Sequence, residues 1–87
     1  MHPNKEAKIM IRCPCCNYLT IDDYLNPIVE ICEVCYWQYD EVAQKNPDKI
    51  IGPNQVSLVH AKINYIKYGV SDCRFLHCVR KPKEDEI

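Results

Sequence analysis

Four of the seven cysteines in this chain of 87 residues form two pairs with the spacing of metal ligands. Two residues separate Cys13 from Cys16, fifteen residues lie between Cys16 and Cys32, and two residues separate Cys32 from Cys35. Two Cys-x2-Cys pairs at this distance are typical of a four-cysteine zinc site, because each pair occupies a tight turn that aims both sulfurs at one point. The spacing therefore predicts one structural Zn2+ per chain, with these four cysteines as its ligands.

The first pair lies in the stretch Cys13-Pro14-Cys15-Cys16, which contains one cysteine more than a pair requires. Cys16 is favoured over Cys15 as the ligand because its spacing from Cys13 repeats the spacing of the second pair. Cys15 is then either a small apolar side chain that packs in the interior or an exposed thiol open to oxidation. Pro14 fixes one φ angle of the turn, and Asn17 follows at a position where such turns often need a positive φ.

Three more potential ligands, Cys73, His77 and Cys78, raise the question of a second metal site. A fourth ligand for such a site would have to come from His60, from Cys15 or from outside the chain. The spacing is irregular, and cysteine is among the most buried residue types. Two buried core cysteines are therefore favoured over a second metal site.

The cysteine pairs need local structure to position them, and the pattern predicts strands for this purpose. Residues 7–12 alternate apolar and polar side chains, residues 18–22 are strand-like, and residues 28–32 are rich in β-branched residues. Turn-forming residues occupy 22–27. A hairpin-like ribbon joining the two cysteine pairs is the predicted result.

Helices are predicted in the second half of the chain. Asp40 could cap a short helix that ends near Lys45, and a longer helix is predicted from the N-cap Ser57 to Gly69. Periodicity does not decide between helix and strand for residues 72–81. The longer helix is expected to bury a broad face through two rows of apolar positions. These rows are Val59, Ile63 and Ile66, and, adjoining them, Leu58, Ala61, Tyr65 and Tyr68.

Length and composition indicate a single small α+β domain over residues 1–87 whose core is marginal without a staple. Its predicted parts are a metal-binding, zinc-ribbon-like β-hairpin with two Cys-x2-Cys turns (6–41), a half with a C-terminal amphipathic helix (42–82) and a flexible tail (83–87). The first twelve residues are polar, and no apolar run approaches the length of a membrane span. A cytoplasmic location is therefore expected. In that reducing compartment, clustered cysteines are expected to bind metal rather than form disulfides.

Charge is distributed unevenly although the net charge is only −1. Residues 13–41 contain six acids and no lysine or arginine, whereas residues 42–83 contain eight bases and two acids. Such asymmetry indicates either that the halves dock on each other, which is favoured, or that one of them faces a charged partner.

The chain resembles the bacterial cysteine-rich CPCC family from about Cys13 to Pro82. The resemblance rests on the stretches "CPCC", "ICEVCYW", "NPD", "VSL", "YG", "RFL" and "VRKP" in this order. It implies a small zinc-binding domain with the same four cysteine ligands and no known activity. The chain departs from the family pattern at Asn17, where glycine is usual, and at Glu33, where proline is usual.

A protein–protein interaction module is the favoured function, either an adaptor or an inhibitor or immunity-type partner of a toxin. Tyr36, Trp37 and Tyr39 follow the second pair and would be typical interface residues if exposed. The alternative, favoured because a small core needs large side chains, is that they cover the metal site and seat the long helix.

The sequence leaves two other functions open, nucleic-acid binding and electron transfer. A nucleic-acid-binding zinc ribbon would have to use the basic second half, since the cysteine-rich half and a zinc ion held by four thiolates are both negative. Its bases would be Lys62, Lys67, Arg74, Arg80, Lys81 and Lys83. A rubredoxin-like electron-transfer protein would hold iron at the same cysteines. No deaminase motif and no phosphate-binding loop is present, so the chain is not expected to be an enzyme.

Overall fold

The computed structural model of the protein describes residues 9–22 and 30–87. Strand β1 (Met10–Arg12) and strand β2 (Leu19–Asp22) form a two-stranded antiparallel sheet. The chain reverses between them over residues 13–18, so the first cysteine pair lies at the tip of this hairpin. The strands predicted over 7–12 and 18–22 are confirmed for the described residues.

A bulge interrupts the hairpin next to the cysteines. Ile11 pairs with Ile21, but Arg12 pairs with Leu19, so Thr20 is the extra residue on β2. A bulge breaks the alternation of side chains along a strand and redirects the residue at that point. Ile21 is fully buried in the core, and Thr20 next to it reaches the cysteine cluster.

The returning strand predicted over 28–32 is wrong where it can be checked. Residues 23–29, which include most of the predicted 22–27 turn, lie outside the described part of the chain. In the described part, Ile31 makes a single bridge to Gln38, and β2 pairs with β1 instead. The physical reason is that each cysteine pair closes a short turn of its own. Within residues 9–22 and 30–39, pairing is therefore local to each turn.

Both predicted helices are confirmed, together with their caps. Helix α1 covers Glu41–Lys45, and the Asp40 side chain accepts from a backbone N–H of its first turn. Helix α2 covers Leu58–Tyr68, and the Ser57 side chain accepts from the N–H three residues later. Gly69 follows in the left-handed conformation with φ 77°. No helix in the described ranges is long and apolar enough to cross a bilayer.

The chain beyond α2 forms two 3-10 segments, Cys73–Cys78 and Glu84–Glu86. Arg80 lies between them and pairs with Glu86 at 2.8 Å. The mobility expected for the 83–87 tail stays a prediction, although the structure gives these residues a helical turn and an ion pair.

The core lies between the two cysteine turns, α1 and the inner face of α2. Leu58 and Ala61 are buried there, as predicted, but Tyr68 of the same predicted row is 53% exposed, so the prediction is wrong at that position. The expectation that the other apolar row of α2 would also be buried is wrong, because Val59, Ile63 and Ile66 are exposed. The two rows are centred about 150° apart on a helix of 3.6 residues per turn, so one layer of core cannot cover both. The buried core residues are Cys13, Cys15, Ile21, Cys32, Val34, Cys35, Trp37, Ala43, Leu58 and Ala61.

Candidate metal centre

The first cysteine turn (residues 13–18) is closed by two backbone hydrogen bonds. The N–H of Cys13 donates to the carbonyl of Tyr18 at 2.9 Å, and the N–H of Asn17 donates to the carbonyl of Cys13 at 2.8 Å. Asn17 has φ 69°, as its position predicted. Asparagine tolerates this left-handed conformation better than most residues, so it can stand where glycine would otherwise be expected. The N–H of Cys15 also points to the Cys13 sulfur at 3.4 Å.

The second cysteine turn (residues 32–37) repeats this geometry. The N–H of Cys32 donates to the carbonyl of Trp37 at 2.9 Å, and the N–H of Tyr36 donates to the carbonyl of Cys32 at 2.7 Å. Tyr36 has φ 70°, so a bulky residue occupies the strained left-handed position here. The two turns thus present their cysteine pairs on equivalent backbones.

The four predicted ligands are brought together by these turns. The Sγ atoms of Cys13, Cys16, Cys32 and Cys35 all lie within 4.8 Å of one another. Sγ of Cys13 is 3.5 Å from Sγ of Cys35, and Sγ of Cys16 is 3.7 Å from Sγ of Cys32. A disulfide bond would need about 2.05 Å, so these are free thiols. The cluster could hold a metal ion.

Two sulfur–sulfur distances across the cluster fit tetrahedral coordination of one ion. Four sulfurs with metal bonds of about 2.3 Å lie about 3.8 Å apart in a regular tetrahedron. The close pairs across the cluster, at 3.5 and 3.7 Å, match this value. Each close pair joins one cysteine of the first turn to one of the second, so a bound ion would connect the two turns.

Hydrogen bonds among the thiols of the cluster shift their pKa values in opposite directions. Hydrogen bonding with Cys13 is the main cause that lowers the pKa of Cys16 and of Cys32. The pKa of Cys13 is raised, first by its bond to Cys16, and that of Cys35 is raised, first by its bond to Cys13. Four sulfurs this close cannot all carry negative charge without a cation between them, and this is the condition under which thiolates bind metal.

Thr20 also contacts the cluster, and sequence patterns did not identify it. Its hydroxyl lies 2.9 Å from Sγ of Cys32 and helps to lower the pKa of that thiol. The bond runs from β2, beside the first cysteine turn, to the second turn. Only the bulge on β2 places Thr20 here, and the sequence of a single chain carries no clear sign of a bulge.

Aromatic side chains cover the cluster. Trp37 is fully buried, which excludes it as an interface residue and confirms that it packs in the core. Tyr36 and Tyr39 are half-buried. The rings of Tyr18 and Tyr65 meet edge to face at 6.4 Å, and burial raises the pKa of Tyr65 to about 12, with smaller effects from the nearby thiols. Tyr18, Tyr39 and Tyr65 all pack against the core that contains the cysteines.

The surplus cysteines lie outside the cluster. Cys15 is buried, with 7% of its surface exposed, at the position that corresponds to Val34 in the second cysteine turn. It therefore packs as a small apolar side chain. Cys73, His77 and Cys78 are all exposed, so the favoured prediction that the two cysteines belong to the core is wrong. Within residues 9–22 and 30–87, the four-cysteine cluster is the only group of side chains with metal-ligand geometry.

The reason for this exposure is the 3-10 conformation of Cys73–Cys78. Phe75 turns inward on the kink of this segment, and its ring lies 4.7 Å from the ring of Tyr36. Arg74 lies over the Phe75 ring at 4.9 Å and pairs with Asp72. The aromatic contact takes the inward position that the cysteines were expected to fill.

Comparison with known proteins agrees with this site. A family model described as Cysteine-rich CPCC matches residues 11–86, which include both cysteine turns and both helices. No curated protein and no solved structure matches the chain. The chain belongs to the cysteine-rich CPCC family.

Proposed function

We propose that the protein binds one zinc ion through Cys13, Cys16, Cys32 and Cys35, and that the zinc-bound fold is a protein-binding module. The observation that carries the metal assignment is a set of four sulfurs within 4.8 Å of one another, with 3.5 and 3.7 Å between the two close pairs. Four thiolates are a donor set that zinc accepts readily in structural sites.

The role of the ion is structural. Cys13, Cys32 and Cys35 are completely buried, and four sulfur ligands would close the coordination sphere. A catalytic zinc keeps a position open for water or substrate, usually beside histidine or carboxylate ligands. When bound, zinc would supply the cross-link between the two cysteine turns that the short sheet and small core do not.

The surroundings of this centre support a binding role. The cluster occupies the interior, while several large apolar side chains of α2 remain exposed. Exposed apolar rows beside polar residues are typical of surfaces that other proteins cover. This surface favours a protein partner over electron transfer, which would not require it.

Native mass spectrometry with elemental analysis tests the metal assignment. We expect one zinc per chain, lost together with the folded state when a strong chelator is added. Cys16→Ala should abolish stoichiometric zinc binding, whereas the matched variant Cys15→Ala should keep it. Iron, two zinc ions per chain or a metal-free folded protein would each overturn the assignment.

Thiol alkylation of the zinc-loaded protein gives an independent reading. Cys73 and Cys78 are exposed and should react quickly, whereas the four ligands should be protected. Rapid alkylation of Cys32 in the folded, zinc-loaded protein would contradict the proposed ligand set.

The binding role is tested by affinity capture followed by reconstitution from purified components. A partner should bind the zinc-loaded protein with a measurable Kd and lose binding when chelation unfolds the domain. Equal binding to the loaded and the chelated protein would argue against a folded binding module.

A further inference from the structure

Helix α2 has two apolar faces, and the core covers one of them. Leu58 and Ala61 are buried and Tyr65 is half-buried against the cysteine cluster. The helices of globular proteins usually turn a polar face to solvent on the opposite side. Here the second face is the exposed stripe, which consists of Val59, Ile63 and Ile66 with 46%, 45% and 84% of their surfaces exposed.

The exposed stripe has the spacing that helix-in-groove and helix-pair contacts use. Its residues stand at i, i+4 and i+7 along α2 and span about 10 Å at 1.5 Å per residue. Side chains at these positions form one continuous row on a helix surface, into which a second helix can pack. The exposed stripe therefore fits a helical partner better than a flat or extended one.

Charge indicates the chemistry of that partner. Lys62 lies on one side of the exposed stripe and Lys67 on the other, at about −60° and +80° around the helix axis from Val59. Helix α2 contains no acidic residue, and neither lysine has an ion-pair partner in the described part of the chain. The stripe is thus an apolar row between two unpaired positive charges.

We propose that the exposed stripe of α2 binds an amphipathic helix of another protein whose apolar seam is flanked by acidic residues. This rests on the proposed function as a protein-binding module. The apolar seam would cover Val59, Ile63 and Ile66, and flanking carboxylates would meet Lys62 and Lys67. Such charge complementarity selects partner and orientation more than it adds affinity.

Other occupants fit less well. A second copy of the chain would place lysine against lysine in either relative direction of the two helices, and like charges across an interface are unfavourable. Nucleic acid would match the lysines but would leave the apolar side chains between them against phosphates, where they gain nothing.

The test uses two synthetic helical peptides and the full-length zinc-loaded protein. Both peptides have leucine at i, i+4 and i+7, and they differ only in glutamate or lysine at the flanking positions. We expect the glutamate peptide to shift the backbone amide resonances of α2 in NMR spectra and to bind at least about tenfold more tightly than the lysine peptide.

Substitutions on the protein sharpen this test. Ile66→Glu should weaken binding of the glutamate peptide at least about tenfold, and Ile50→Glu, the same change at another exposed isoleucine outside α2, should not. The double charge reversal Lys62→Glu and Lys67→Glu should reverse the preference, so that the lysine peptide binds more tightly. Circular dichroism and zinc stoichiometry check that each variant remains folded.

Four results would overturn the proposal. The first is equal binding of both peptides, and the second is amide shifts located away from α2. The third is a wild-type dimer in sedimentation that Ile66→Glu disrupts, which would assign the stripe to a second copy. The fourth is a shift of the α2 amide resonances on addition of a short labelled oligonucleotide, together with no such shift on addition of the glutamate peptide.

Failure of this proposal is distinguishable from failure of the proposed function. Peptide or partner binding elsewhere on the zinc-loaded protein would reject the exposed stripe and leave a binding module. A folded protein without zinc would reject the metal assignment, whatever the peptides do.

Discussion

The first and second cysteine turns correspond residue by residue in their backbone hydrogen bonds but differ in what supports them. In each turn the first residue donates its N–H to the sixth carbonyl at 2.9 Å, and the fifth residue has a left-handed φ. The first turn is closed by the paired strands β1 and β2. The second is flanked by one bridge, between Ile31 and Gln38.

Contacts from the C-terminal half take the place of strands around the second turn. The N–H of Ser71 donates to the carbonyl of Cys35 at 2.8 Å, and the N–H of Arg80 donates to the carbonyl of Glu33 at 3.2 Å. The Asn54 side chain both donates to and accepts from the backbone of Gln38. These contacts join segments that are distant in sequence, so the second turn depends on tertiary structure.

One local geometry is thus specified in two ways in this protein. The first turn is stabilised by neighbours in sequence, whereas the second gains its partners only when distant segments fold against it. Loss of the C-terminal contacts should therefore disturb the second turn before the first. A metal ion would join the two because the close sulfur pairs each contain one cysteine from either turn.

The largest expected effect comes from removing one ligand, and it should be equal in the two turns. Cys13→Ala or Cys32→Ala should leave the protein unfolded, because structural zinc contributes about 10–16 kcal/mol in small domains and exceeds their remaining stability. Loss of NMR dispersion and of bound zinc measures this. The matched control Cys73→Ala should remain folded. A Cys13→Ala protein that keeps zinc and fold would show that the turns are not equivalent at the metal.

Replacing the sixth residue of each turn by alanine should destabilise the protein by different amounts in the two turns. Trp37 is fully buried and Tyr18 half-buried, so Trp37→Ala should lower the free energy of unfolding by about 3–5 kcal/mol, and Tyr18→Ala by clearly less. Urea unfolding of the zinc-loaded variants, followed by circular dichroism, gives both values. If Tyr18→Ala lowers the free energy of unfolding as much as Trp37→Ala or more, the second turn does not contribute more to the core than the first.

Thr20 links the turns through its bond to Cys32, so its removal should weaken the metal site without removing a ligand. Thr20→Val should reduce zinc affinity at least about tenfold, as is usual for partners of metal ligands. Thr20→Ser keeps a hydroxyl and should restore most of the affinity. Competition with a chromogenic chelator measures each constant, and unchanged affinity in Thr20→Val would exclude this role.

The fifth residue of each turn has a left-handed φ, and replacing it by glycine should change the stability differently in the two turns. Asn17→Gly should change stability by less than about 1 kcal/mol, because asparagine already tolerates a positive φ. Tyr36→Gly relieves a larger strain but removes the ring contact with Phe75, which is worth about 0.5–1.5 kcal/mol. The same change in a Phe75→Ala background should therefore stabilise the protein by about 1 kcal/mol relative to that background.

A double-mutant cycle in urea measures this coupling. If Tyr36→Gly has the same effect with and without Phe75, the ring contact does not support the second turn, and the comparison between the turns loses one of its tertiary contacts.

The smallest effect concerns the ion pairs that hold Arg80 beside the second turn. Pairing with Arg80 lowers the pKa of Glu86 to about 2 from an ordinary value near 4.5. Its stabilising effect is therefore present above about pH 4.5 and is lost as the pH falls towards 2. Glu86→Gln should be slightly less stable than the wild type at pH 7, and the difference should shrink below about pH 4.5.

Thermal unfolding of the wild type and of Glu86→Gln should be measured at each pH, and the two stabilities subtracted. Protonation of the thiolates affects both proteins equally, so it cancels in this difference. Glu33→Gln is the control, since the Glu33 carboxylate is mostly exposed and such pairs contribute little. A constant difference between Glu86→Gln and the wild type over the whole range would show that the charge of Glu86 does not matter.

Much of the candidate site was predictable because it depends on short-range rules. The Cys-x2-Cys spacing identified the four clustered cysteines, and the position of Asn17 indicated its positive φ. Capping rules placed both ends of α2 at Ser57 and Gly69. Each of these features is decided by residues close together in the chain, where backbone sterics and local hydrogen bonds dominate.

Predictions that required knowledge of distant contacts failed more often. Strand propensity in residues 30–32 could not show that β2 would pair with β1 instead. Cysteine as a residue type prefers burial, but Cys73 and Cys78 are exposed. In this segment the side chain of Phe75 makes the inward contact, with the Tyr36 ring. Composition gives the tendency of a residue type, whereas competition among neighbours decides the individual case.

Spacing and capping rules along the chain already specify two equivalent turns that present four thiols, and a capped helix after them. Contacts between distant segments place Thr20 against Cys32 and hold the second turn against the C-terminal half, and no local rule contains them. The tertiary structure also decided which apolar face of α2 the core would cover. Periodicity marks both faces as apolar, but a core of this size buries only one of them, so Val59, Ile63 and Ile66 on the other face stay exposed.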